Sequence, residues 1–206
     1  GVHGALGRIE LGSVDLGVRH SDERIAWNVG AYFNRYDNYI FVAPTGTVDA
    51  EDGLPVFAYR QEGVNLHGFE GELDVPVRAV QTGDLMLRFM GDYLRGEVRS
   101  GGDLPSMPPY RFGAGVDYDL DALHLGLEVM RHAKQNRVAN DELPTDGYTL
   151  VSLDASYRWP LAQGNVFAFL HGDNLLDEEA RQHTSAQKDI VPLPGRGVRA
   201  GVRVEF

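Results

Sequence analysis

The chain has 206 residues, 43% of them hydrophobic, with a formal net charge of -11 and no cysteine. That balance excludes nucleic acid as a partner, because phosphate binding needs a basic surface, and it excludes disulfides and thiolate metal sites. No apolar run reaches the roughly 18 residues of a spanning helix, which leaves a spanning sheet open, because a strand needs only alternate residues apolar.

The first residues, Gly1-Val-His-Gly, form neither the charged nor the apolar part of an export leader. An exported protein whose leader has been removed, or a piece of a longer chain, is expected. Residues 8–19 then carry Ile9 and Leu11 followed by Val14, Leu16 and Val18, a change of phase near Gly12 that predicts a bulge. After a short break, Ile25, Trp27, Val29, Ala31 and Phe33 alternate with Asn28, Gly30, Tyr32 and Asn34. A long break at 43–55 precedes a run in which Phe69, Gly71, Leu73 and Val75 oppose Glu70, Glu72 and Asp74.

A short turn near Gln81 and Gly83 leads to Leu85, Leu87, Phe89, Gly91 and Tyr93. A break at 96–109, rich in glycine and proline, separates it from Tyr110–Leu120. A tight turn at Asp119–Ala122 gives Leu123, Leu125, Leu127 and Val129, and a long break covers 133–146. Val151–Trp159 alternate again, a turn near Gln163 and Gly164 leads to Val166–Gly172, and a last long break at 173–194 ends on the closing stretch. There Val198, Ala200, Val202, Val204 and Phe206 oppose Arg199, Gly201, Arg203 and Glu205.

The pattern predicts an all-β chain of about nine to ten antiparallel strands with period-two alternation. Its breaks run short, long, short, long, the layout of a transmembrane β-barrel with short periplasmic turns and long extracellular loops. Tyr110, Tyr118, Tyr157 and Trp159 sit near strand ends, where interfacial aromatic girdles fall. Gly113, Gly115, Gly126 and Gly201 on the charged face are expected where lumen packing is loose or shared with a plug. A soluble β-barrel binding a small ligand is the alternative. An odd number of strands would leave an unpaired edge in lipid, so a miscount by one or the C-terminal part of a larger barrel is expected.

Asn174-Leu-Leu-Asp-Glu178 resembles the motif before the last strand of TonB-dependent outer-membrane receptors, and the run from Arg181 to Arg196 resembles a branch with an HTS…KD…PLPGR signature. Tyr32–Ile40, Gly68–Glu72, Leu104–Pro109, Gln135–Val138 and Thr145–Thr149 agree with that family in order. The resemblance implies that residues 1–206 are the C-terminal part of a Gram-negative outer-membrane barrel of about 22 strands, with the plug domain and the first strands lying outside this chain. It implies TonB-driven uptake of a metal ion or metal chelate. The branch is similar to zinc-uptake receptors, with haem and siderophores as relatives' cargo.

Partners expected are outer-membrane lipid, lipopolysaccharide, the TonB complex through the plug, and the metal or chelate. No cofactor is called for beyond zinc or an iron chelate as transported ligand. Among seven histidines none is paired at helical metal-site spacing. His132 and His183 are the candidate metal ligands, and His3, Asp141, Glu142 and Asp189 join them as candidate ligand-binding residues, because Zn²⁺ accepts imidazole nitrogen with carboxylate oxygen. The alternative is solvated loop residues, with Lys188 and Asp189 ordering the last loop. The acidic run Asp49–Gly53 lacks calcium-loop spacing. Gly195–Ala200 matches a dinucleotide fingerprint but precedes no helix, and no nucleophile elbow exists. No enzyme is expected.

Overall fold

In a computed structural model describing residues 8–51, 53, 55–80, 83–140 and 142–206, the alternating runs become one antiparallel meander. Its strands are β1 (Glu10–Ser21), β2 (Ala26–Val48), β3 (Pro55–Val80), β4 (Gly83–Val98), β5 (Arg111–Leu120), β6 (Leu123–His132), β7 (Tyr148–Pro160), β8 (Asn165–Asp173) and β9 (Gly197–Glu205). Each pairs with its neighbours in chain order, and the sheet is not closed, since β1 pairs with β2 alone and β9 with β8 alone among the described residues.

The register turns the sequence alternation into two continuous faces. Val18, Val29 and Gly71 align across β1 to β3, and Leu87, Val116, Leu127 and Leu153 align across β4 to β7. On β9, Val198, Val202 and Val204 continue this apolar face, and all three are exposed. An apolar wall this wide on a water-soluble protein would be an aggregation surface; facing acyl chains it is solvated. Trp27, Tyr118, Tyr157 and Trp159 lie on the same face toward the short turns, where the rings of Tyr157 and Trp159 pack 4.4 Å apart.

The opposite, luminal face carries the charges. Arg88 bridges Asp74 at 3.5 Å and Asp117 at 3.1 Å, Arg111 pairs with Asp92, and His171 contacts Asp154 at 2.6 Å and Asp173 at 2.8 Å.

Three readings of the sequence change. The phase change near Gly12 is no bulge, because β1 pairs without interruption from Glu10↔Asp37 to Ser21↔Ala26; Leu11 simply faces the lumen side. The register shift falls instead between Tyr36 and Tyr39, where Asn38 takes a left-handed φ of 65°, a conformation its short polar side chain tolerates. The break at 43–55 is mostly strand: Pro44 pairs Phe57, Val48 pairs Pro55, and the Thr45 hydroxyl donates to the Val56 carbonyl at 2.9 Å. At 23 and 26 residues β2 and β3 far exceed the roughly ten that cross a bilayer, so this hairpin continues well beyond it.

Nor is the luminal packing loose. A Cβ on Gly201 would lie 2.5 Å from the Phe169 ring, and one on Gly113 would lie 3.0 Å from both the Met130 Sδ and the Val129 carbonyl. These glycines are holes filled by cross-strand neighbours. The turn near Gln81 lies outside the described residues.

Candidate functional site at the outer mouth

Short connections (22–25, 121–122 and 161–164) gather at one end of the meander, and the long ones (99–110, 133–147 and 174–196) at the other. The short turns need little: Asp22 accepts from the Arg24 and Ile25 N–H groups at 2.7 and 2.9 Å, and these bonds hold its carboxyl below the usual range. The long loops need much more, because irregular backbone must find partners for every N–H and C=O it buries.

They find them in one another. Fully or nearly buried side chains concentrate here: Leu104, Ala133, Gln135, Thr145, Asn174, Ala180, His183 and Lys188 all lie in these loops, and the strands add Val64 and Tyr148. At the centre is Glu142. Its Oε1 accepts from Lys188 Nζ at 2.7 Å, His183 Nε2 at 3.1 Å and the Ser106 N–H at 3.0 Å, while Oε2 accepts from the Ala139 N–H at 3.1 Å. With Nε2 donating, His183 Nδ1 accepts from the Thr145 hydroxyl at 3.0 Å. Burial pushes the Glu142 carboxyl up, but the His183, Lys188, Ser106 and Ala139 bonds outweigh it and bring its pKa down from 4.5 to about 2.

A second set pins the approach to β9. Asn174 and Asp177 both adopt left-handed backbone, φ 46° and 57°. The Asn174 amide donates to the Glu178 and Pro194 carbonyls at 2.9 and 3.1 Å, and its oxygen accepts from the Glu178 N–H at 3.0 Å. The Asp177 carboxylate accepts from the Arg196 N–H at 2.9 Å, and a Cβ on Gly195 would crowd that oxygen at 3.0 Å. Gln135 closes the loop 133–147 onto the loop 99–110, donating to the Met107 and Pro108 carbonyls at 2.9 and 3.1 Å. Arg137 donates to the Tyr93 hydroxyl at 2.8 Å.

The expected ligand residues therefore fall into different places. Glu142 and His183 share one buried cluster, with the Lys188 ammonium 3.3 Å from His183 Nε2, so a cation entering there would have to displace it. His132 belongs to another group, stacked on Tyr148 with ring centroids 4.4 Å apart. Asp189 is exposed and lines a recess of about 520 Å³ with Phe57, Pro105, Leu143, Ala186 and Lys188. His3 and Asp141 lie outside the described residues. Among the described residues no three His, Cys, Asp or Glu side chains converge on a metal position. Ser106, Gln135 and Thr145 lie in stretches that resemble the family but carried no expected role, because their roles come from partners 28 to 38 residues away.

The family model described as TonB dependent receptor-like, beta-barrel, matches residues 13–175. The chain belongs to the TonB-dependent receptor family. These receptors are β-barrels of the Gram-negative outer membrane, and the apolar face described above is such a barrel's lipid-facing wall.

Solved structures carry the same fold. The copper transporter OprC aligns with TM-score 0.80 and 18% identity over 96% of this chain and 31% of its own. The siderophore receptor PirA from Acinetobacter baumannii aligns with TM-score 0.66 and 18% identity over 96% and 32%. A mutant of the ferric enterobactin receptor PfeA from Pseudomonas aeruginosa gives 0.63 and 16% over 96% and 31%. This chain thus spans about a third of the length of the solved structures that it matches.

Proposed function

We propose that residues 1–206 form the C-terminal wall and outer mouth of a receptor that captures a metal ion or metal chelate outside the cell and imports it with energy from TonB. The observation that carries this reading is the joined loop roof: three long loops share one buried ionic cluster at the outer end of a polar lumen. A fixed roof holds a capture surface in place before ligand arrives, which lowers the ordering cost of binding. The recess beside it, with Asp189 at its rim and Leu143 and Phe57 in its wall, offers apolar contact with a few polar groups, as organic ligands require. In this reading Glu142, His183 and Lys188 hold the loops, while His132 and Asp189 are free to meet cargo.

The named cargo of the structural neighbours, copper and siderophores, supports the class; zinc and haem are its further members. TonB would be engaged through a plug filling the lumen. The test is uptake by cells whose only copy of the receptor carries this chain. Growth under metal limitation rescued by one metal or chelate, and lost with TonB, is the expected result; no rescue by any metal, haem or siderophore overturns the reading. For zinc itself, the paired change His132→Ala and His183→Ala weakens binding to the purified receptor, the first by removing a ligand and the second by loosening the loops that hold the capture surface; an unaltered zinc titration removes His132 as a ligand.

A further inference from the structure

Directly below the loop roof, the luminal wall holds a recess of about 600 Å³ lined by two methionines among charged and aromatic side chains. One row of paired residues crosses it: Glu72↔Met90, Met90↔Gly113, Gly113↔Met130. Both methionines are half-buried and both line the recess. Gly113 lies between them and offers no side chain, and the Met130 thioether lies over it, since a Cβ there would stand 3.0 Å from Sδ and 2.7 Å from Cε. Neighbouring strands are about 4.8 Å apart, so the two methionine backbones stand roughly 10 Å apart, with the Met130 thioether already reaching over Gly113 toward Met90. Side chains of that length can turn their sulfurs toward one shared ion.

The placement is unusual for the composition. The chain has four methionines. Met86 and Met90 alternate with the lipid-facing Leu85, Leu87 and Phe89, Met130 shares the Met90 row, and Met107 lies in the loop that roofs the recess. All four therefore turn to the lumen or its mouth, although lipid would accept a thioether at no cost.

Glu70 and Glu128 also line the recess, and neither has an ion-pair partner among the described residues; Asp92 is neutralised by Arg111. The carboxylates supply a negative field that draws cations in. They do not converge on a shell for a hard ion. Sulfur does the selecting, because thioethers favour Cu(I) over the harder divalent ions.

We propose that Met90 and Met130 form a soft-cation station on the luminal wall, taking Cu(I) or its redox-inert analogue Ag(I). This deepens the import reading, on which it rests, by naming the class of cargo. Binding involves no electron transfer; each thioether donates a lone pair to the ion.

The experiment titrates Ag(I) into the detergent-purified receptor carrying this chain and compares Met90→Leu, Met130→Leu, the double variant and Met86→Leu. Leucine keeps the volume and removes the sulfur, and heat-modifiable mobility on gels reports whether each barrel is folded. The expected result is one site lost at least tenfold in affinity in the double variant, weakened in each single variant and unchanged in Met86→Leu, with sulfur neighbours in the silver X-ray absorption spectrum. Wild-type affinity in the double variant, absence of any Ag(I) binding by the parent, or an equal loss in Met86→Leu overturns the proposal; if the double variant does not fold, the single variants decide by the same criterion. Metal-limited growth is scored separately. A receptor that still imports some metal or chelate while its Ag(I) binding ignores Met90 and Met130 loses the station alone, whereas failure of all import with intact Ag(I) binding sinks the transport reading alone.

Discussion

The barrel wall and the outer mouth are stabilised by opposite means. In the wall the backbone ladder is regular, the side chains of one face are exposed to lipid, and the luminal ion pairs are half-exposed, as between Arg88 and Asp74 or Asp117. At the mouth the backbone is irregular and the side chains are the structure: buried His183, Lys188, Gln135, Thr145 and Asn174 each satisfy groups that no ladder reaches. The wall thus tolerates change in proportion to how little any one side chain is enclosed, and the mouth does not.

The sharpest way to break this contrast is Lys188→Met. It leaves Glu142 buried without its cation, a change that costs about 3–5 kcal/mol. Hydrogen exchange in residues 99–110, 133–147 and 174–196 should rise together while β5 to β7 stay protected. Exchange confined to residues near 188 would show that the three loops are not one unit.

Acid probes the same cluster. Glu142 has its pKa lowered from 4.5 to about 2, so its contribution is present above pH 4.5 and is lost as pH falls toward 2. The shift corresponds to about 3 kcal/mol at neutral pH. Acid-stable protease cleavage of the outer loops should therefore appear between about pH 4 and 2, with the wall intact, and Glu142→Gln should abolish that pH dependence.

For the wall, Leu127→Arg, midway along β6 on the lipid face, should cost about 2–4 kcal/mol in folding from urea into vesicles. Gly126→Arg, one residue earlier and facing the lumen, should cost distinctly less. Gly201→Val drives a Cβ into the Phe169 ring and should cost about 1–3 kcal/mol in the same assay, whereas Gly197→Val, with nothing within 4 Å, should be nearly neutral. A small effect is also expected for Arg88→Gln, under about 1 kcal/mol, because its two partners are exposed or half-exposed.

The alternation of Leu123, Leu125, Leu127 and Val129 made β6 legible, because a side chain's face depends only on its parity. The same rule misplaced the bulge: Leu11 and Val14 differ in parity, but a luminal leucine breaks no ladder, whereas the true shift at Asn38 is a backbone event in a polar stretch with no apolar phase to betray it. Pro44, Gly46 and Pro55 read as a loop because composition records what a residue lacks; the Pro44↔Phe57 pairing depends on a partner strand. The Glu142–Lys188 contact spans 46 positions of irregular chain and has no periodic signature. His183 was visible as a candidate by chemistry, while its enclosure was not. The Asn174–Asp177 motif, in contrast, was readable and has a physical cause in its two left-handed residues and the carbonyls that Asn174 gathers.

The pairing of Gly201 with Phe169 bears on how β9 finds its place. Along its lipid side Val198, Ala200, Val202 and Val204 are nearly interchangeable, so sliding the strand by two residues would preserve every outward contact in kind. On the other side the same slide would bring Arg199 or Arg203 beneath the Phe169 ring in place of the one residue that leaves room for it. The two faces therefore encode different things. Lipid tells the strand which way to turn, and a single notch under an aromatic ring tells it where to stop.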